Sequence, residues 1–341
     1  LSNSDSTIVK GVSIRVHDRA IPNESKGEVE HQLDSPLHPP EIQLTADWVI
    51  DASGKGSHAP QWLKALGYAP PEEVEVNAFL GYTARIYQCP NPLPADWKLL
   101  LIQPDPPGQH RGGAIFPIEG DRWIVSLAGG DHDYPPTDEA GFLTFAQKLP
   151  TPVLYSAIQN ATPLTPIYTY RGNENRLRHY DRLSHQPANF LVIGHAACAF
   201  NPTYGQGMTV AALTAERLDR FLHKHPVGKS QQAQEQQRHT RQLQQDLAKA
   251  YQDAWLFASG QDSRFRSATR QKKMPLTRWI NRYMDELSQV ALQQPAVQHT
   301  LMEVMQMLKP ATVLFHPQMM LKILLARVGE NLRRFAKVMP L

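Results

Sequence analysis

Residues 189–225 read NFLVIGHAACAFNPTYGQGMTVAALTAERLDRFLHKH, and the class of the fold turns on this stretch. Phe190 to Ile193 is a short apolar run of the kind that fills a buried strand. A loop of small residues follows, with Gly194, Pro202, Gly205, Gln206 and Gly207. Beyond it Met208, Ala211, Ala212, Ala215, Leu218 and Leu222 recur at helical spacing, which predicts a helix. A strand, a glycine loop and a helix in that order present backbone N–H groups, with a helix dipole behind them, to an anionic cofactor. Glycine also serves plain tight packing in any α/β unit. The stretch alone leaves both readings open.

Composition narrows the class. The 341 residues suffice for two domains at roughly 150 residues each. Hydrophobic residues make up 41% and charged residues 20%, the balance of a globular protein. A net charge of +3, with both signs interspersed, gives no basis for a nucleic-acid partner. Cys89 and Cys198 are too few for a disulfide framework, which points to a reducing cytoplasm. No run of about 18 apolar residues predicts a spanning helix. The chain starts at Leu1 with neither initiator methionine nor signal-peptide pattern, so we expect a piece of a longer product.

Outward from the central stretch, residues 6–16 read as a strand or hairpin arm, and 17–41, with four prolines, as an exposed loop. Residues 42–52 return to strand character and run into DASGKGS, 51–57; a two-turn helix follows, with Pro60 at its start and Gly67 at its end. Residues 74–130 alternate as an antiparallel sheet does, and Glu119-Gly120-Asp121 supplies a turn. Helices are expected over 138–149 and 152–160, and a strand over 164–170. A Gln-rich helix spans 229–257, with Leu243, Leu247, Tyr251 and Ala254 as its stripe and residues 231–237 as a solvated face. Further helices occupy 277–335, broken near Pro295, Pro310 and Pro317.

Several motifs have two readings. Gly54-Lys55-Gly56-Ser57-His58-Ala59 fits the dinucleotide fingerprint, but the stretch after it breaks at Pro70-Pro71 and offers no acidic residue for a ribose. His195 with Cys198, and Asp131 with His132 and Asp133, have ligand-like spacing yet lack a second pair, so no metal is expected. No G-x-S-x-G elbow marks a serine nucleophile. Arg85 suits an acidic substrate or a flavin, and equally a sheet-face ion pair. The amphipathic stretch 313–335, with its basic residues, suits a membrane surface, though core packing of a terminal helix accounts for it more simply.

DASGKGS (51–57), GGDHDYPPTDEAGF (129–142) and GHAACAFNPTYGQGMTVAA (194–212) together resemble the FAD-dependent monooxygenases of the aromatic-ring hydroxylase and squalene-epoxidase-like kind. Within that superfamily the chain is most similar to a bacterial group of uncharacterised oxidoreductases, with a strand ending D-A-T/S-G-x-G-S and a later G-D-A-x-x-x-F-N-P-x-Y-G-Q-G-M. The likeness extends from about Val9 to Leu325 and includes DAWLFASGQDSRF, 253–265.

The resemblance implies an α/β fold of the flavin hydroxylase type. It comprises an incomplete Rossmann-like FAD-binding domain (1–69 and 187–228), an antiparallel-sheet substrate domain (70–186) and a C-terminal helical region (229–341). It implies FAD as cofactor, NAD(P)H as electron donor, and oxidation or oxygenation of a small hydrophobic or aromatic substrate. Asp51, Ser53, Gly54, Gly194, His195, Pro202, Gly205, Gln206 and Gly207 would be the cofactor-binding residues. Residue 195 would face the ribityl or ribose hydroxyls, Pro202 would shape the pocket, and Gly205 to Gly207 would lie beside the isoalloxazine. Amides at the head of the Met208 helix would stabilise the charge of the reduced ring. No side chain is assigned to catalysis, because oxygen activation belongs to the flavin.

Two departures stand out. The G-x-G-x-x-G unit that grips the ADP half is not found, so we expect weak FAD binding by this chain alone and a separate chain as one source of that segment. The family's motif aspartate is His195, whose imidazole lacks the two-oxygen acceptor geometry of a carboxylate. A non-catalytic remnant, half of a split flavoprotein, and a flavin-dependent reductase of the isoprenoid-reducing type are the alternatives. No nucleic acid and no firm membrane association are expected.

Overall fold

A computed structural model describes residues 1–15, 41–90, 97–225, 233–269 and 275–338, with the side chains of 275–278 and 329–338 excepted. The expected loop at 17–41 lies almost wholly outside the described residues, as do Gln231, Gln232 and the side chains of Arg333, Arg334 and Lys337. In chain order the elements are β1 (Gly11–Arg15), β2 (Glu41–Thr45), β3 (Val49–Asp51), α1 (Ala59–Ala65), β4 (Glu73–Val76), β5 (Gly81–Gln88), β6 (Leu100–Ile102), β7 (Arg111–Ile118) and β8 (Arg122–Gly129). There follow α2 (Glu139–Gln147), α3 (Val153–Ile158), β9 (Tyr168–Tyr170), β10 (Asn175–Arg178), β11 (Phe190–Val192), β12 (Cys198–Ala199) and α4 (Gly207–Lys224). The chain then continues through α5 (Ala233–Ala248), α6 (Gln252–Asp262), α7 (Pro275–Ala291), α8 (Pro295–Met305) and α9 (Pro317–Val338). The chain divides into two compact units, with one boundary falling within α4.

The first unit comprises Leu1–Glu72, His179–Ala197 and Leu213–Ala248. β1 and β2 pair antiparallel, Gly11 opposite Thr45. β3 and β11 pair parallel, with Phe190, Leu191 and Val192 opposite Val49, Ile50 and Asp51. All three β11 residues are buried, as an apolar strand of a parallel pair requires. Leu191 packs with Leu243 and Leu247 of α5, and Trp48, Ile50, Leu218 and Phe221 close the cluster. α5 also completes β11 by hydrogen bonding. Thr240 Oγ1 accepts from the Asn189 amide at 3.0 Å, and the Gln244 side chain bonds both backbone groups of Val192.

The second unit comprises Glu73–Arg178, Cys198–Ala212 and Lys249–Leu341. Its main sheet is antiparallel in the order β6-β7-β8-β5-β9, and β12-β10-β4 form a smaller one. β7 and β8 are joined at Glu119-Gly120-Asp121, where Gly120 has φ 73° and Asp121 φ 51°. Ile115, Trp123, Val125 and Leu127 project from one face of the main sheet onto Phe142, Phe145 and Leu154 of α2 and α3. Asp138 caps α2 by accepting from the Gly141 amide. A separate cluster joins α7, α8, the short turn Ala311–Phe315 and α9 through Leu287, Val297, Leu314 and Ile323. Pro295 and Pro317 open α8 and α9, where a missing N–H costs nothing. Of the described part of 313–335, Leu314, Met319 and Ile323 pack into this core, whereas Leu321, Leu324, Leu325 and Val328 are exposed.

Several sequence expectations need correction. The helix expected over 229–257 is two, α5 and α6, broken at residues 249–251. Leu243, Leu247, Tyr251 and Ala254 are all buried as expected, so the stripe runs through a break that neither Gly nor Pro announces. The strand over 42–52 is likewise two, because β2 and β3 enter different sheets. The strand over 164–170 shortens to β9. On α4 the buried face is not the one read from periodicity: Val210 and Thr214 are buried, whereas Met208 is 86% exposed and Ala211, Ala212 and Ala215 are exposed. Packing, not apolar spacing, selected that face.

Candidate functional site

In the first unit, β3 and β11 end side by side, with the Ile193 amide donating to the Asp51 carbonyl at 2.9 Å. Loops 52–57 and 193–197 leave from these adjacent carboxyl ends, the edge where open parallel sheets take ligands. The Asp51 carboxylate is buried and folds its own loop: it accepts from the Ser53 amide at 2.9 Å and from the Ser57 hydroxyl. Ser57 Oγ in turn accepts from the Ala59 amide at 3.1 Å. Ser53 is thereby left exposed, next to the half-buried Gly54.

Gly194 has φ 58°, and a Cβ added there would meet nothing within 4 Å. Backbone conformation, not crowding, therefore demands glycine. His195 follows, half-buried. Burial lowers its pKa, and the Lys55 ammonium lowers it further. The imidazole is neutral at neutral pH, with one donor and one acceptor nitrogen.

In the second unit, Asn201 caps a short helical turn, Pro202–Tyr204, by accepting from the Thr203 amide at 3.2 Å. Gly205 ends the turn in the left-handed region at φ 68°, again with open space where a Cβ would stand. α4 begins two residues later, and its first amides have no carbonyl partner within the helix. The segment has two sides. Pro202, Thr203 and Gly205 are exposed; Asn201 and Gln206 are buried, and Gln206 Nε2 donates to the Met305 carbonyl at 3.2 Å.

Asp51, Ser53, Gly54, Gly194 and His195 thus gather at the ends of one parallel strand pair. Pro202, Gly205, Gln206 and Gly207 form one short segment of the other unit. Gly54-x-Gly56-x-x-Ala59 opens no βαβ unit, since the strand parallel to β3 is the distant β11. Arg85 is committed elsewhere: its Nε donates to the Thr165 carbonyl at 2.8 Å, and Nη1 lies 3.6 Å from Glu139. Asp131 accepts from the amide and hydroxyl of Ser267, both at 2.8 Å, and Asp133 binds Arg111 and His110.

Spacing alone gave no hint of a buried polar cluster beneath the 201–204 turn. Asp262, at the end of α6, is fully buried and accepts from Asn175 Nδ2 at 2.6 Å, Asn201 Nδ2 at 3.2 Å and Tyr204 Oη at 2.5 Å. Tyr82 Oη donates to Asn201 Oδ1 at 2.5 Å. Burial pushes the Asp262 carboxyl up to about 6. The phenols of Tyr82 and Tyr204 are raised by the same cause.

No family model matches the chain. Protein Rv3254 of Mycobacterium tuberculosis (strain ATCC 25618 / H37Rv) is 30% identical over 237 residues, 69% of this chain and 48% of that protein. The chain thus spans about half the length of this curated relative. Among solved structures it is similar to the myxobacterial chondrochloren halogenase CndH, an FAD-dependent halogenase, with TM-score 0.53 and 15% identity over 87% of this chain and 62% of that one. It is also similar to the Diels-Alderase PyrE3 of pyrroindomycin biosynthesis, with TM-score 0.52 and 13% identity over 79% of this chain and 51% of that one. Among the described residues no helix is long and apolar enough to cross a membrane. With its antiparallel sheets, parallel strand pair and helices, the chain has a mixed α/β fold that resembles the fold of FAD-dependent halogenases.

Proposed function

We propose that this chain is part of an FAD-dependent oxidoreductase of the monooxygenase type, acting on a small hydrophobic or aromatic substrate. The observation that supports the reading lies in the first unit: loops 52–57 and 193–197 leave the adjacent carboxyl ends of β3 and β11, the edge where open parallel sheets take ligands, and Gly194 holds left-handed backbone there with open space where a Cβ would stand.

The donor set suits a flavin. His195, held neutral, donates one hydrogen bond to a hydroxyl without bringing a charge. The amides at the head of α4 carry the positive end of a helix dipole and suit an electron-rich ring. Gly205 lets that ring approach, and Pro202 and Thr203 face outward beside it. When bound, the flavin supplies the redox and oxygen chemistry. We assign FAD binding to 1–69 with 187–228, substrate binding to 70–186, and a helical C-terminal region to 229–341. The ADP half of the cofactor falls to residues outside this sequence, in the same or a separate polypeptide. Pyridine nucleotide as electron donor rests on the sequence resemblance alone.

The main sheet supports this substrate class. The face opposite α2 and α3 carries Tyr82, Ile86, Ile124 and Phe116, in register across β5, β8 and β7, with Tyr168 and Tyr170 on β9. Phe116, Tyr168 and Tyr170 are 43%, 61% and 58% exposed. Such a face favours apolar and aromatic ligands.

The test is turnover of hydrophobic aromatics by the full-length protein with FAD and a reductant under isotopically labelled dioxygen. Product carrying one labelled oxygen atom supports the reading. Product that has gained or lost hydrogen without label assigns the chain to the reductase alternative.

A further inference from the structure

The motif DAWLFASGQDSRF ends α6 at a carboxylate that the proposed function leaves unused. Asp262 is fully buried, and no cation touches its oxygens among the described residues. It is held instead by three neutral donors from two other parts of the unit: Asn175 on β10, and Asn201 and Tyr204 on the turn before α4. The asparagines are also bonded to each other, the Asn201 amide donating to Asn175 Oδ1 at 2.8 Å. A carboxylate taken out of water without an ionic partner is costly, and a purely structural joint would be met more cheaply by apolar packing. The group is raised for the reason such burial predicts. Buried carboxylates of this kind cluster at functional sites.

The side chains it holds indicate its role. Asn201 and Tyr204 are the inward-facing residues of the turn, whereas Pro202, Thr203 and Gly205 face outward. Thr203 and Gly205 owe their amide hydrogen bonds to this geometry: Thr203 N–H donates to Asn201 Oδ1 at 3.2 Å and Gly205 N–H to the Pro202 carbonyl at 3.0 Å. Asn201 Oδ1 also accepts from Tyr82 of β5, which packs against Ala78, Leu80, Phe265 and Ala268. One carboxylate thus ties the inner side of the glycine turn, through Asn201, to β5.

We propose that Asp262 is a positioning residue: by drawing Asn201 and Tyr204 inward it fixes the turn so that Thr203 and Gly205 are presented outward to the ligand. The inference deepens the flavin reading and rests on it for the identity of that ligand. The titratable groups that face the carboxylate are Tyr204 and Tyr82. Arg264, which acts on Tyr204, is itself bound to Asp285 at 2.7 Å and lies 3.6 Å from Asp105. An open turn that admits water would return Asp262 to the usual carboxylate range, so deprotonation favours opening, and protection of the turn should fall as pH rises through about 6.

The experiment is amide hydrogen exchange of the full chain, followed at residues 203–205 and, as reference, in β7 and β8, with FAD binding measured on the same preparations by fluorescence quenching. Asp262→Ala leaves three donors unpaired; it should speed exchange at 203–205 at least tenfold and leave the reference strands unchanged. Should that variant not fold, Tyr204→Phe removes one tether only and should speed the same amides. Asp262→Asn keeps an acceptor; it should hold the turn while abolishing its pH dependence. Wild-type exchange rates at 203–205 in Asp262→Ala, or in Tyr204→Phe where that variant stands in, would overturn the proposal. The FAD arm is read separately. Loosened exchange with no FAD binding even in wild type leaves the anchor standing and removes the flavin. FAD binding with an insensitive turn does the reverse.

Discussion

The side-chain amide of Gln244 brackets Val192: its Nε2 donates to the Val192 carbonyl at 2.9 Å, and its Oε1 accepts from the Val192 amide at 3.2 Å. A buried glutamine on α5 thus does for β11 what a neighbouring strand would do, satisfying both backbone groups of the residue opposite Asp51. Gln244→Leu would leave a buried N–H and C=O without partners, at about 1–3 kcal/mol each. We expect a loss of about 3 kcal/mol in chemical denaturation, against under about 0.5 kcal/mol for a surface change such as Gln234→Ala. Equal stabilities for the two variants would mean that the edge of β11 is satisfied in another way.

Asp262 links stability to pH. Its folded pKa of about 6 lies above the 3.8 of an unperturbed carboxyl, so between those values the folded chain holds a proton that the unfolded chain has released. Its contribution to stability is therefore full below about pH 4 and is lost as pH rises through about 6. Asp262→Asn does not titrate. The stability of wild type minus that of Asp262→Asn should fall between pH 4 and pH 7, by on the order of 2–3 kcal/mol. A difference that stays flat across that interval would place the proton elsewhere.

His195 titrates in the opposite sense. Burial and Lys55 depress its folded pKa, so the neutral form contributes stability above the unfolded value, and that contribution is lost as pH falls through the lower folded value. NMR titration of the imidazole should give a midpoint below about 6.5. Lys55→Met should move it upward. An unchanged midpoint in that variant would remove Lys55 from the neighbourhood that keeps His195 neutral.

Gly205→Val isolates conformation from packing. A β-branched residue at φ 68° is strained by about 1–2 kcal/mol, yet a Cβ there meets nothing within 4 Å. The variant should fold, with a melting temperature lowered by only a few degrees, and lose FAD binding. Full retention of binding would make the turn a structural one.

Local chemistry was legible in the sequence: a helix from residue 138, the Glu119-Gly120-Asp121 turn, the helix breaks near Pro295 and Pro317, and the strand–glycine–helix order around Gly194 to Gly207. Relations across long separations were not. Asp262 and Tyr204 are 58 residues apart, and nothing in either segment marks them as partners. Thr240 and Gln244 look like solvated positions of a Gln-rich helix until β11 lies against them. The face of α4 was misread for a related reason: Met208 and the alanines keep a helical period, but burial depends on what lies alongside, and it lies against Val210 and Thr214.

The most direct measurement is a titration of this chain with FAD, followed by flavin absorbance and fluorescence, with Gly205→Val in parallel. The account predicts weak, saturable binding with a resolved flavin spectrum in wild type and none in the variant. No perturbation of the flavin up to millimolar FAD, or the same perturbation in both proteins, would contradict it.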